Sequence, residues 1–196
     1  MHDPNVLPDD LPVPQDDGGA AHLPGLAVPH VALPATRGGT IDLATVAGTV
    51  VVFAYPRTGV PGVALPEGWD AIPGARGCTP HTRGYADLHP AFVALGASVF
   101  GLSTQDTAYQ RELAERLEVP FAILSDEQLA LTHAMRLPTM DVHRMILLKR
   151  LAWIAQDGVI ERVFYPVFPP DRNAGVVLSA LRERRGRGSD DKAVRP

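Results

Sequence analysis

The chain has 196 residues, of which 45% are apolar and 20% charged, and a formal net charge of −4. That length suits one globular domain with tails, and the apolar share excludes wholesale disorder. No apolar run approaches the ~20 residues of a membrane span, and the acidic balance argues against a dedicated nucleic-acid binder.

The N-terminal stretch 1–21 is rich in Pro, Asp and Gly without an apolar period, and reads as a flexible acidic arm. Asp3, Asp9, Asp10, Asp16 and Asp17 stand where a secretory leader would carry basic and then apolar residues, so a cytoplasmic location is expected. A domain is expected over 22–181. Its first strong element is the β-rich run Val50 to Tyr55, suited to a central strand covered on both faces and stopped by Pro56. A helix is predicted after Cys78, with Tyr85, Leu88, Phe92 and Leu95 as its apolar face and an irregularity at Gly84 and Pro90. Ala97 to Leu102 reads as a second strand, Tyr109, Leu113 and Leu117 as a helical face, and Phe121 to Leu124 as a third strand. Strand, helix, strand implies a right-handed parallel crossover. Asp126 is expected to cap a helix reaching about Arg136, and Asp157-Gly158 to turn a hairpin between 150–155 and 159–165. Asp171 is placed as the cap of a last helix, followed over 182–196 by a fraying basic tail with six basic and three acidic residues. The order predicts an α/β fold with a mixed central sheet and helices on both faces, as in a thioredoxin-like sandwich.

Cys78 is the only cysteine, so the chain can form no internal disulfide and no cysteine-rich zinc site. Pro80 in a first helical turn sets Cys78 at a helix N-terminus, where unpaired backbone N–H groups favour a thiolate. Arg76 and Arg83 add positive charge nearby in sequence. His81, His89, His133 and His143 are separated by eight, forty-four and ten residues, none a helical ligand pair, and read as surface or core histidines. No metal or other cofactor is implied.

The strand ending Phe53-Ala54-Tyr55-Pro56, the Gly-Cys-Thr at 77–79, the Gly-Leu-Ser-Thr at 101–104, the Pro-Phe-Ala-Ile-Leu-Ser-Asp at 120–126 and the Lys-Arg at 149–150 together resemble a peroxiredoxin. The ordered series is most similar to the Q-type, or bacterioferritin comigratory protein, class and spans about His22 to Leu181. The resemblance implies that Cys78 is the peroxidatic cysteine, Arg150 the arginine that approaches it from the start of a late strand, and Pro56 the proline that shields it. Two departures stand out. The family's Pro-x-x-x-Thr-x-x-Cys pattern would need proline and threonine at positions occupied by Ala71 and Ala75, while Pro56 and Thr58 lie beyond an additional stretch, Gly59 to Pro73. The active-site hydroxyl is therefore assigned to Thr58, with Thr79 as the alternative. Trp69 within the insertion is either a packing anchor or part of a lid. Secondly, Arg83 occupies the position of the resolving cysteine found in many Q-type members.

The expected function is that of a one-cysteine thiol peroxidase acting on hydrogen peroxide or organic hydroperoxides through a Cys78 sulfenic acid. An external thiol (thioredoxin, glutaredoxin or a small thiol) would regenerate it. Neither nucleic acid nor membrane is an expected partner, and a homodimer is left open. The rival reading is a non-catalytic peroxide sensor or redox-dependent interaction module on the same fold. A cysteine hydrolase would need a base histidine, and His81, from the same helix start as Cys78, is poorly placed to be one.

Overall fold

The computed structural model describes residues 7–8 and 10–193, with side chains through residue 186. A short antiparallel hairpin, β1 (Ala32–Pro34) and β2 (Thr40–Asp42), precedes the valine-rich β3 (Thr49–Ala54). Then come α1 (Cys78–Ala94), β4 (Ala97–Ser103), α2 (Thr107–Arg116), β5 (Ile123–Ser125) and α3 (Ala130–Met135). A second small hairpin, β6 (Thr139–Val142) and β7 (Met145–Leu148), leads into β8 (Leu151–Gln156), β9 (Val159–Phe164) and α4 (Asn173–Ala193).

The central sheet has five strands in the order β5-β4-β3-β8-β9. β3 pairs in parallel with β4, β4 with β5, while β8 runs antiparallel to both β3 and β9, which makes the sheet mixed as expected. Alternation along β3 divides the core. Val50, Val52 and Ala54 face Leu131 and Met135 of α3, whereas Val51, Phe53 and Tyr55 face Tyr85 and Phe92 of α1, Leu113 of α2 and Val177 of α4. Each fully buried Val or Phe side chain contributes about 1.5–3 kcal/mol, so this strand is the axis of the domain.

The Asp157-Gly158 turn forms where expected, with both residues at positive φ (48° and 79°), the combination a two-residue type I′ hairpin requires. The β6–β7 turn, His143-Arg144, has the same positive-φ pair (47° and 66°) without a glycine or asparagine to announce it. The sequence therefore carries no local signal for that hairpin. Asp126 is a buried cap, accepting from the Leu131 and Thr132 amides at 3.0 and 2.7 Å and from the Thr132 hydroxyl at 2.6 Å, although the helix it serves begins only at Ala130. Asp171 differs from expectation. It lies inside a 3-10 turn, Pro170–Arg172, and makes no capping bond; α4 begins two residues later.

Helix α1 is continuous through Gly84 and Pro90. The lack of a side chain at Gly84 serves packing instead, because a Cβ there would stand 3.2 Å from the Asp171 carbonyl oxygen. Helix α4 likewise runs on through Gly186 and Gly188 rather than fraying there. Arg184 ties it to the sheet by an ion pair with Glu161 at 3.1 Å and a bond to Gln156 Oε1 at 2.8 Å. The described part of the N-terminal stretch is also attached rather than free, since Asp17 pairs with Lys149 at 2.5 Å and accepts from the Tyr165 hydroxyl at 2.7 Å, and Ala20 is buried.

Asp126→Ala removes the acceptor of three buried donors, and is expected to lower unfolding free energy by about 2–3 kcal/mol. Urea denaturation checks this, with an earlier midpoint and an unchanged slope as the expected result.

Candidate active site around Cys78

Gly77 precedes α1 with φ of 99°, and its built Cβ would stand 2.5 Å from Pro170 Cγ, so only glycine fits. This tight turn delivers Cys78 as the first residue of the helix, with 4% of its surface exposed. Strand β8 lies directly beside β3, and Arg150, the residue before it, reaches across to the same point.

Arg150 is 3% exposed and its Nη2 lies 3.2 Å from Cys78 Sγ. The same nitrogen is 3.3 Å from the Gly74 and Ala75 carbonyl oxygens and 3.0 Å from that of Arg76. Two hydrogens cannot serve four acceptors at full strength, so the three carbonyls act as a cradle that fixes the guanidinium against the sulfur. Sγ in turn is 3.5 Å from the Ala75 carbonyl oxygen, the geometry of a thiol S–H donating to it. Arg150 Nε, also buried, has no hydrogen-bond partner among the described residues.

The other side of the guanidinium is held by a chain of side chains. Arg150 Nη1 donates to His81 Nδ1 at 3.0 Å, His81 Nε2–H donates to Asn173 Oδ1 at 3.0 Å, and the Tyr85 hydroxyl donates to the same oxygen at 2.6 Å. Because arginine can only donate, its bond to Nδ1 assigns the His81 tautomer. Burial, and then the Arg150 charge, push the His81 pKa well below its ordinary value, with the Asn173 bond opposing; the imidazole is neutral. Both ring nitrogens are committed to Arg150 and Asn173, so His81 is not a base toward Cys78.

The remaining expected residues are distributed less simply. Thr58 is buried, but its hydroxyl donates to Gln105 Oε1 at 3.1 Å and its amide to the same oxygen at 2.9 Å, and no hydrogen bond joins it to Cys78. The hydroxyl expected beside the sulfur is thus engaged with Gln105, and Ala75, at the position of the family threonine, offers only its backbone carbonyl. Thr79 is buried next to Cys78. Pro56 is buried at the end of β3, where its carbonyl accepts from Ser103 Oγ at 3.2 Å. The Arg76 guanidinium pairs with Asp70 of the insertion at 2.7 Å, so its contribution to the cradle is its backbone carbonyl. Arg83 is exposed on α1. Trp69 is 3% exposed and packs with Ala75, Val142 and Leu147, anchoring the insertion to the β6–β7 hairpin. The end of the insertion then reaches the site, because Ile72, Pro73 and Gly74 line a cavity of about 230 Å³ together with Arg150.

Four participants escaped the sequence reading. His81 lies three residues after Cys78 and therefore on the same helical face, a signal that was available but ambiguous. Asn173, 92 residues from His81, had no local signal. Tyr85 read as plain core. Tyr55 ends the apolar run of β3, yet its buried hydroxyl has no partner among the described residues, and its pKa is raised by burial first and by Cys78 second.

A thiol at the first turn after a parallel strand, facing an arginine delivered by the neighbouring antiparallel strand, defines a thioredoxin-fold protein with a redox-type cysteine. Residues 23–178 match the Redoxin family model, and the chain belongs to that family. It is 26% identical over 159 residues to the chloroplastic Peroxiredoxin Q of Oryza sativa subsp. japonica, covering 81% of this chain and 66% of that one. The match to Peroxiredoxin Q of Populus jackii is 25% over the same length. The chain thus spans about two thirds, or slightly less, of the first of these relatives. Among solved structures, the peroxidoxin BcpB of Mycobacterium tuberculosis superposes with a TM-score of 0.66 at 24% identity, covering 88% of this chain and 98% of its own. The bacterioferritin comigratory protein of Xanthomonas campestris gives 0.64 at 18%, covering 89% and 99%. These likenesses establish the thioredoxin-like fold.

His81→Leu removes the acceptor that holds Nη1 and is expected to slow Cys78 oxidation by peroxide about tenfold to a hundredfold. Competition kinetics against a reference thiol measures it. The same residue sets a pH dependence. A histidine held neutral in the fold contributes stability that is full above its unfolded value of 6.5 and declines as pH falls below it. Urea midpoints should therefore drop between pH 7 and pH 5 in the wild type, and less steeply in His81→Leu; the half-exposed His89, lowered by burial and Arg37, adds in the same direction to both proteins.

Proposed function

We propose that the chain is a one-cysteine thiol peroxidase. The observation that carries this reading is the buried Arg150 Nη2 at 3.2 Å from Cys78 Sγ, with its Nε–H uncommitted beside it. The Cys78 thiolate attacks the terminal oxygen of a hydroperoxide, ROOH, in line with the O–O bond. The S–O bond forms as the O–O bond breaks; sulfur is oxidised to Cys–SOH, the peroxide is reduced, and RO⁻ leaves and takes up a proton. Negative charge moves from sulfur to oxygen along this path. A fixed guanidinium that already touches the sulfur and still has a donor to offer stabilises that displaced charge without reorganising. Tyr55, whose hydroxyl is buried and unpartnered on the same side of β3, is a second candidate donor.

No second cysteine exists in the sequence, so regeneration falls to outside thiols. One attacks Cys–SOH to give a mixed disulfide and water, and a second releases Cys78 as the thiol. The Xanthomonas relative is described as having alkyl peroxide reduction activity, which supports including organic hydroperoxides among the substrates of this chain.

Arg150→Lys keeps the charge and loses the planar fork, and Cys78 oxidation is expected to slow by about tenfold to a thousandfold, equivalent to roughly 1.4–4 kcal/mol. Stopped-flow oxidation measures it; an unchanged rate removes Arg150 from the mechanism. Intact mass after one equivalent of peroxide is expected to show one added oxygen on Cys78, and excess peroxide to carry it on to sulfinic acid. Quantitative conversion to a disulfide-linked dimer at that step would falsify the externally resolved cycle.

A further inference from the structure

The N-terminal segment crosses the mouth of the Cys78 loop. A Cβ built on Gly77 would stand 2.8 Å from Leu7 Cδ2, and one built on Gly74 would stand 3.4 Å from Pro14 Cβ. Pro14 and Gln15 then form part of the wall of the 230 Å³ cavity whose other lining includes Ile72, Met140, Lys149 and Arg150. The segment is fastened immediately beyond this point. Asp17 pairs with Lys149 at 2.5 Å and accepts from Tyr165 at 2.7 Å, and Lys149 and Tyr165 line the same cavity. The Lys149 bond, followed by that from Tyr165, holds the Asp17 carboxyl well below the ordinary carboxylate range, so the clasp is charged at neutral pH.

From this geometry we infer that residues 14–17 are the specificity wall of the peroxide site, closed by the Asp17 clasp, and that they decide how large a hydroperoxide reaches Cys78. The inference rests on the peroxidase reading for its substrate but not for its geometry. A wall of a proline and a glutamine opposite Ile72 and Met140 leaves a space more apolar than polar, bounded by the Lys149 and Arg150 cations, and Arg150 joins it to Cys78, whose sulfur lies 3.2 Å from Nη2. Such a space holds the organic part of a small alkyl hydroperoxide, while hydrogen peroxide needs none of it. The clasp is part-exposed and held by one ion pair and one neutral donor, which makes it the point at which the wall opens.

The test compares cumene hydroperoxide with hydrogen peroxide in the full-length protein. Asp17→Lys places two cations face to face and releases the wall, so the ratio of oxidation rates, bulky over small, is expected to rise about tenfold. Gln15→Trp fills the cavity from the same wall, and the ratio is expected to fall about tenfold. Alkylation of Cys78 by a bulky maleimide relative to iodoacetamide should move in the same two directions. If the wild type reacts with neither peroxide, the peroxidase reading fails, and the alkylation ratio alone decides the wall. Should Asp17→Lys not fold, Gln15→Trp decides by itself. Ratios within about twofold of wild type in the folded variants overturn the inference.

Discussion

The arrangement of this molecule depends on one buried cation. Arg150 carries a full charge with only 3% of its surface in water, and an isolated ion in that position would be prohibitively costly. No carboxylate faces it among its hydrogen-bond partners. Its charge is met instead by three backbone carbonyls of the 74–76 turn, by a neutral histidine, and by the Cys78 sulfur. Of these partners only the sulfur can acquire a negative charge, so the protein's compensation for burying the guanidinium is concentrated where the chemistry occurs.

The sheet makes this meeting possible. Because β8 is inserted antiparallel beside β3, its start falls next to the end of β3, with Leu151 opposite Ala54. The helix that follows β3 begins at that same edge. Arginine and cysteine, 72 residues apart, therefore meet without either element bending. Helix α4 closes the arrangement from outside. Asn173 at its first turn receives both His81 and Tyr85, so the orientation of the arginine is transmitted from the far end of the chain.

The parts of this that were legible in the sequence are those with local signals. The valine run of β3, the Asp-Gly turn and the proline after Cys78 each speak through their immediate neighbours, and the ordered resemblance added Arg150. What stayed hidden is long-range pairing. Nothing near Thr58 announces that Gln105 will engage its hydroxyl, and nothing near Asn173 announces its two donors on α1. The acidic N-terminal stretch looked free because its low apolar content gave no reason to dock; its attachment combines one carboxylate meeting a lysine and a tyrosine far along the chain with the burial of Ala20. Similarly, the His143-Arg144 turn holds two positive-φ residues without a glycine, in a hairpin whose Val142 and Leu147 pack with the distant Trp69.

The first turn of α1 is bound on every side: Gly77 is pressed against Pro170, His81 and Tyr85 are tied to Asn173, and the sulfur is seated beside a fixed guanidinium. Five residues further on, the exposed Arg83 offers no sulfur, and nothing in the frame rewards unwinding the helix to reach one. A helix start clamped in this way holds its sulfur at one fixed point. Any partner of the sulfur must therefore come to it, because with 4% of Cys78 exposed the helix start gives the atom no way out to meet one.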